Sequence, residues 1–194
     1  EEGFRWFLGK VEDRNDPLQI GRVKVRAYNV HSPSKIDVST EELAWAPVLL
    51  PVTSASLKHV GVSPTGIAVG STVWGFFADG NECQKPIVVG TLAGIPGKNE
   101  LNHDVSELAR GVNDLNKNYL GPEPQSAFAA KYPHNKVFQT ESGHVIELDD
   151  TPNQERVHVY HRAGTYFEID PEGRRVTKVV GDDFEIVAKD KTLY

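Results

Sequence analysis

The chain has 194 residues, a formal net charge of −6, a single cysteine and no methionine. This length is sufficient for one or two domains with real hydrophobic cores. The acidic balance gives no general attraction to nucleic acid or anionic membranes, and one cysteine excludes an intrachain disulfide framework. No apolar run approaches the roughly 18 residues of a membrane span.

The first hundred residues predict an all-β unit. GRVKVRAYNV (Gly21–Val30) alternates, so that Val23, Val25 and Ala27 face one side and Arg22, Lys24 and Arg26 the other. Glycines and prolines separate short strands of this kind, with no helical pattern between them. Five strands of this size fit a Greek-key barrel of the oligonucleotide/oligosaccharide-binding (OB) type. The predicted strands are Phe4–Glu12, Gly21–Val30, Trp45–Leu50, Ser71–Phe77 and Pro86–Leu92.

The following segment, residues 97–137, is predicted to be a linker because it is rich in asparagine and proline. Asp104 is a candidate cap for one short helix within it. The apolar side of that helix would consist of Val105, Leu108, Val112 and Leu115.

Short strands return from Phe138 onward, and Gly164, Gly173 and Gly181 separate them at regular intervals. The predicted strands are Val145–Asp149, Arg156–His161, Tyr166–Asp170, Val176–Val180 and Phe184–Lys189. Each of these strands contributes few apolar residues, so a single copy of the chain cannot bury its own apolar side chains. Either the strands form a meander on the barrel, or several chains wind together around a shared core. The apolar positions are Ile146, Leu148, Val157, Val159, Phe167 and Ile169.

The two ends of the chain carry no signal of a natural start or stop. The chain begins at Glu1 without methionine, and it ends at Tyr194 without a turn or a cap. We therefore expect a processed or shortened piece of a longer protein.

Several stretches carry a family likeness when taken together. They are GFRWFLGKVEDRNDPLQIGRVKVR, EELAWAPVLLPVTSAS, SPTGIAVGSTVWGFFADGNECQKPIVVGTLAGIP, ELARGVNDLNK and, near the end, SGHVIELDDTPNQERVHVYHRAGTYFEIDPEGRRVTKVVGDDFEIV. The chain resembles the central spike proteins of contractile phage tail baseplates, above all the T-even-type baseplate hub and lysozyme proteins. It is also similar to the related VgrG spikes of type VI secretion.

The resemblance implies a homotrimer in the tail baseplate of a virion. Residues 1–96 would form an OB barrel that docks on a ring-shaped hub protein. Residues 97–137 would be the linker, and residues 138–194 would begin an intertwined triple-stranded β-helix, or β-prism. This needle would carry a tip-capping protein on a further C-terminal part, and it would contact the host envelope transiently when the sheath contracts. Such a prism has no free sheet edge along its length.

No enzyme activity is expected, although the T-even-type proteins carry a lysozyme domain between barrel and needle. The corresponding interval here is about forty residues, far below the size of a folded hydrolase domain. Glu107 and Asp114 in this interval have no cleft to hold them as a pair of catalytic carboxylates. No catalytic residue is therefore carried over.

No metal or cofactor site is expected either. His158 and His161 point to opposite faces of a strand, and so do His144 and Glu147. The pairs Asp149-Asp150 and Asp182-Asp183 read as solvated turn residues. The stretch SPSK, from Ser32, lacks the partner motifs of penicillin-recognising enzymes, and Cys83 has no activating neighbours.

The face made of Arg22, Lys24 and Arg26 is the candidate contact face for the hub or for the other copies in a trimer. OB barrels also bind single-stranded nucleic acid, which stacks on aromatic side chains beside a positive groove. Trp6 and Phe7 occupy both faces of one predicted strand, so at least one of them belongs to the core.

The function that fits best is a non-enzymatic central spike of a contractile tail. Its alternative within the family is a VgrG-like spike of a type VI or other contractile injection system that delivers effectors. From another class, a monomeric nucleic-acid-binding OB module is the alternative, and a cell-wall hydrolase conflicts with the short linker.

Overall fold

The structure, a computed structural model, describes residues 3–57, 60–63, 65–94 and 124–193. It divides into two compact units, Glu1–Ile95 and Pro96–Tyr194. The described residues form β-strands and one short 3-10 turn at Gly80–Glu82, which agrees with the all-β prediction. None of the described residues belongs to a helix that is long and apolar enough to cross a membrane.

The first unit is a five-stranded antiparallel sheet that curls on itself. Its strands are β1 (Arg5–Asp13), β2 (Val23–Ala27), β3 (Trp45–Ala46), β4 (Thr72–Phe77) and β5 (Pro86–Leu92), in the order β3-β2-β1-β4-β5. Leu49 N donates to Val88 O at 2.8 Å, and Val88 N donates to Pro47 O at 2.9 Å. These bonds bring β5 back to the chain just after β3. The connectivity is that of the predicted OB barrel.

The barrel core comes from one side of each strand. Val23, Val25 and Ala27 of β2 point into it, as the alternation predicts. The rings of Phe7 and Phe77 meet there with centroids 4.9 Å apart. Burial of side chains of this size contributes about 1.5–3 kcal/mol each. The remaining buried members of the core are Val11, Ala46, Val73 and Val88.

The third strand is shorter than predicted. The sequence suggested Trp45–Leu50, whereas β3 ends at Ala46. Pro47 follows directly and has no N–H to continue the ladder, because proline lacks the backbone donor. The chain keeps contact with the sheet through the single bridge between Val48 and Val88.

The second unit is a meander of five antiparallel strands. They are β6 (Asn135–Gln139), β7 (Val145–Asp149), β8 (Arg156–Tyr160), β9 (Tyr166–Ile169) and β10 (Arg175–Lys178), paired in chain order. Gly143, Gly164 and Gly173 stand in three of the connecting turns with φ of +90°, +99° and +79°. Glycine adopts this left-handed conformation without a steric penalty.

In two places the single chain differs from the elements expected from the sequence. Phe184–Lys189 was predicted to be a strand, but the structure shows no strand there, and none of the described residues pairs with its backbone. The predicted linker extends to residue 137, whereas β6 already begins at Asn135. The predicted helix from Asp104 to Leu115 lies outside the described residues.

Substitution of Gly75 tests how closely the strands of the barrel pack. A Cβ atom at this position would lie 2.2 Å from Ile87 O and 2.7 Å from Phe7 Cζ. We expect Gly75→Ala to lower the free energy of unfolding of the barrel by about 1–3 kcal/mol, the usual effect of overpacking. Urea unfolding followed by tryptophan fluorescence measures this, because Trp6, Trp45 and Trp74 all lie in this unit and are the chain's three tryptophans.

Gly90→Ala on β5 is the matched control, because a Cβ there meets nothing within 4 Å. Equal unfolding midpoints for the two variants would contradict the close strand packing described for Gly75.

Candidate assembly surfaces

The candidate contact face of Arg22, Lys24 and Arg26 lies on the polar side of β2, but its side chains are engaged within the chain. The side chain of Arg26 is buried, and its Nε donates to Glu12 Oε1 at 2.7 Å. Its other guanidinium nitrogens donate to the carbonyls of Ser32 (2.7 Å) and Val38 (2.8 Å). Arg26 therefore fastens the β2–β3 connection to the barrel.

Lys24 acts in the same way. It is buried, and its Nζ donates to the carbonyls of Glu41 at 2.6 Å and Thr40 at 3.2 Å. As a result, all five residues of β2 are buried. The apolar core covers one side of the strand, and the β2–β3 connection covers the other.

Glu12 provides the charge that balances Arg26. Thr40 Oγ1 donates to Glu12 Oε2 at 2.6 Å, so this carboxylate receives bonds from both a guanidinium and a hydroxyl. The hydrogen bond from Arg26, opposed by burial and assisted by the one from Thr40, lowers the pKa of Glu12 from 4.5 to about 2. The same pair raises the pKa of Arg26.

Arg22 is the most accessible of the three side chains, at 20% exposed. It pairs with Asp16 at 2.6 Å, and Asp16 also accepts the backbone N–H groups of Leu18 and Ile20. The bond from Arg22 lowers the pKa of Asp16 despite an opposing effect of burial. The guanidinium lies 5.6 Å from the centre of the Trp45 ring. Within this face, a partner can therefore reach Arg22, together with the neighbouring, partly buried Trp45. The role of the face in binding a partner stays a prediction.

The neighbouring aromatic residues Trp6 and Phe7 of β1 point to opposite faces of the sheet, as expected. Phe7 is buried in the core, and Trp6 is exposed on the outer surface. A nucleic-acid groove would need free positive charge beside such a ring. Lys24 and Arg26 do not provide it, because carbonyls and Glu12 occupy their donors.

One face of the meander is apolar and open to solvent. Ile146 stands directly opposite Val159, and Leu148 stands opposite Val157. Ile146 and Leu148 are 47% and 50% exposed although they lie in the middle of the sheet. All six apolar positions that the sequence singled out belong to this surface, which we call the apolar face. It consists of Phe138, Ile146, Leu148, Val157, Val159, Phe167 and Ile169.

The opposite face of the meander, called here the charged face, is buried and combines a network of charged side chains with a small apolar cluster of Val145, Tyr160 and Tyr166. Arg156 pairs with Glu147 and, at 2.7 Å, with Glu168. His158 Nδ1 lies 3.0 Å from Glu168 Oε2. Each of these four side chains is almost completely buried. The sequence analysis missed this network, whose only signal is that the residues alternate with the apolar positions along their strands.

Residues 124–134 cover the charged face. Ser126 Oγ donates to Glu168 at 2.7 Å, and Ala127 N donates to the same carboxylate at 3.0 Å. Further along, Lys131 N donates to the hydroxyl of Thr151 at 2.9 Å. Burial by itself raises the pKa of Glu168, but bonds from His158, Ser126, Ala127 N–H and Arg156 outweigh it and lower that pKa to about 2.

The segment after β10 exposes large apolar residues. Phe184 and Ile186 are 80% and 92% exposed, and Val187 is also exposed. Phe184, Ile186 and the residue between them alternate apolar and acidic, as in a strand. Among the described residues, this segment has strand-like sequence without a strand partner.

The histidine pairs considered in the sequence do not come together. His158 is buried on the charged face, whereas His161 is exposed beyond the end of β8. Glu147 is buried in the ion network, and His144 lies on the other side of the sheet. The described residues contain no group of three or more histidine, cysteine or acidic side chains able to hold a metal ion.

The interpretation of Asp149 as a solvated turn residue is wrong. Asp149 is buried at the end of β7, and its Oδ1 accepts bonds from Thr151 Oγ1 at 2.6 Å and Thr151 N at 2.9 Å. Its neighbour Asp150 is exposed and pairs with Lys136 at 2.5 Å. Asp182 and Asp183 are exposed, as expected. Cys83 is a free, half-buried thiol.

Comparison with known proteins connects the chain to one family. Residues 27–179 match the family model described as the Gp5 N-terminal OB domain. The chain is 35% identical over 262 aligned residues to Protein Gp5 of Vibrio phage KVP40, which covers 100% of this chain and 62% of the relative. It is 43% identical over 97 residues to the pre-baseplate central spike protein Gp5 of Enterobacteria phage T4, which covers 47% of this chain and 17% of that relative. The chain therefore spans less than two thirds of the length of either relative.

The buried pair of Glu12 and Arg26 generates a test at acid pH. The folded-state pKa of Glu12 is about 2, below its ordinary value of 4.5. Its stabilising contribution is therefore complete above pH 4.5 and is lost as the pH falls toward 2. We expect Glu12→Gln to remove part of the acid-induced loss of barrel stability and to cost about 3–5 kcal/mol at pH 7, because Arg26 is left without its anion.

Tryptophan fluorescence during urea unfolding at a series of pH values checks this expectation. Glu41→Gln is the control, since Glu41 is exposed and only its backbone carbonyl binds Lys24. Parallel pH profiles for wild type and Glu12→Gln would contradict the assignment.

Proposed function

The chain belongs to the Gp5 family of phage baseplate central spike proteins, and we propose that it is a structural, non-enzymatic central spike of a contractile tail. In this proposal it resides in the tail baseplate of the virion. The names of both relatives are those of phage proteins, which favours a phage particle over a type VI secretion spike.

The observation that supports this proposal most strongly is the apolar face of the meander. A sheet normally turns its apolar side to a core and its charged side to water. Here residues 124–134 cover the charged face, which also holds the buried Val145, Tyr160 and Tyr166, and none of the described residues covers the apolar face. Apolar patches of this kind mark interaction surfaces. In the proposed homotrimer, three such faces cover one another.

The segment after β10 extends this proposal to the needle. The sequence placed the start of the intertwined β-helix at residue 138, where β6 to β10 pair with one another in chain order and leave β6 and β10 at the edges of the sheet. We propose that the winding between copies includes the residues after Lys178, where Phe184 and Ile186 are exposed. Strands of the other copies would supply the missing backbone partners there, as in sheets without free edges.

The ring-shaped hub protein is the proposed partner of the barrel, which lies N-terminal to the meander. The reachable part of the candidate contact face is Arg22 with Trp45, because Lys24 and Arg26 are buried. Arginine and tryptophan are enriched among the residues that dominate binding energy in protein interfaces. A triple alanine variant of the face would mix loss of binding with loss of fold, so Arg22→Ala is the informative change.

The trimeric needle would transmit force to the host envelope when the sheath contracts. The needle can unfold only if three interwound chains separate. Its rate of unfolding is therefore low, so the needle is stabilised kinetically as well as thermodynamically. Contact with the envelope is then transient, and a tip-capping protein would bind beyond the C-terminal end of this chain.

The solution mass tests the trimer. Light scattering on the wild-type chain is expected to give about three times the monomer mass of 21.4 kDa at every concentration. We expect the double variant Ile146→Glu, Val159→Glu to be a folded monomer, because two carboxylates replace a directly opposed apolar pair and a buried unpaired charge costs several kcal/mol.

Ile36→Glu is the matched control: this side chain is 96% exposed in the barrel unit, outside the apolar face, so the trimer should persist. A wild-type chain that is monomeric, or a double variant that remains trimeric, would overturn the assembly proposed for this face.

A further inference from the structure

His144 and His161 come together at one end of the meander although 17 positions separate them in the sequence. Val145 of β7 pairs with Tyr160 of β8, and the next position along this antiparallel register places His144 opposite His161. The two imidazole rings have centroids 4.5 Å apart. This is the spacing of directly opposed side chains in an antiparallel ladder.

The backbone on both sides of this pair is fixed. Thr140 N donates to His144 O at 3.0 Å, and His161 N donates to Thr165 O at 2.8 Å. A row of four polar side chains therefore crosses the end of the sheet: Thr140, His144, His161 and Thr165. His144 is half-buried and His161 is exposed, so one side of the pair is open to water.

The row adjoins a concave part of the apolar face. Its lining includes Phe138, Ile146, Val159 and Phe167 together with the two histidines. Apolar walls around a polar group limit the access of water and strengthen electrostatic interactions with it. The pair is thus partly shielded from water on the side of the sheet and accessible from the end.

Each ring has one nitrogen directed at the backbone. His144 Nδ1 accepts from Arg162 N at 3.5 Å, and His161 Nδ1 accepts from Ala163 N at 3.2 Å. The Nε2 atoms are the remaining ligand positions of the two rings. Binding of a metal through Nε2 transfers the ring proton to Nδ1 and gives up these two contacts, which are at or beyond the long end of the hydrogen-bond range.

We propose that His144 and His161 form a two-imidazole site for a divalent transition-metal ion. Imidazole nitrogen suits Cu²⁺, Ni²⁺ and Zn²⁺, and the affinity of such a site rises from Co²⁺ to Ni²⁺ to Cu²⁺. Two protein ligands leave the other coordination positions to water. The two histidines are not among the residues assigned above to the trimer contact, although the concave surface beside them belongs to the apolar face.

Isothermal titration calorimetry on the full chain without an affinity tag tests this site, with CuCl₂, NiCl₂ and MgCl₂ as the probes. The expected result is one Cu²⁺ per chain, weaker binding of Ni²⁺ and none of Mg²⁺, which prefers oxygen ligands. His144→Gln and His161→Gln should each lower the affinity for Cu²⁺ at least about tenfold, because even the loss of a residue that only orients a ligand has that effect.

Two further measurements separate ligation from a structural effect. The electron paramagnetic resonance spectrum of bound Cu²⁺ should show coupling to two imidazole nitrogens in the wild type and to fewer in either variant. His134→Gln is the control, since His134 is an exposed histidine away from the pair. Circular dichroism should give the same melting curve for all three variants in the absence of metal.

Absence of Cu²⁺ binding would overturn the site, and so would binding that both single variants retain at wild-type affinity. A nitrogen coupling pattern that changes in His134→Gln but not in the two pair variants would also overturn it.

Discussion

The ion pairs of Arg156 with Glu147 and Glu168 decide which side of the meander is covered. A buried charge costs several kcal/mol unless a partner and additional hydrogen bonds compensate it. The partners here come from β7, β8, β9 and the segment before β6, so the covered face is completed within one chain. None of the described residues covers the apolar face, and in our proposal assembly with other copies buries it.

The barrel uses the same physical solution on a smaller scale. Arg26 and Lys24 are buried on the polar side of β2, where Glu12 and backbone carbonyls satisfy their donors. The strand is thereby covered on both sides, and the long connection to β3 becomes part of the barrel wall. Both units therefore keep cationic side chains inside and leave large apolar or aromatic residues, such as Trp6 and Leu148, on the surface.

The sequence predicted the positions of the strands better than it predicted which face of each strand is buried and which residues pair across strands. The strand Val145–Asp149 was assigned correctly because alternation and flanking turn residues are local signals. Alternation is symmetric between the two faces, however, so it could not tell that Glu147 is buried and Ile146 exposed. The strand predicted at Phe184–Lys189 is absent because none of the described residues of the chain pairs with its backbone. Arg26 with Glu12, and His144 with His161, are pairs that only the register brings together.

Hydroxyl-radical footprinting of the isolated chain in solution tests the central claim, that other copies cover the apolar face. Phe138 on this face and Phe4 in the barrel are matched probes, because they are 66% and 70% exposed in a single chain. The account predicts that Phe138 is oxidised much more slowly than Phe4. Equal oxidation rates for the two rings would mean that the apolar face stays open to water, and would contradict the account.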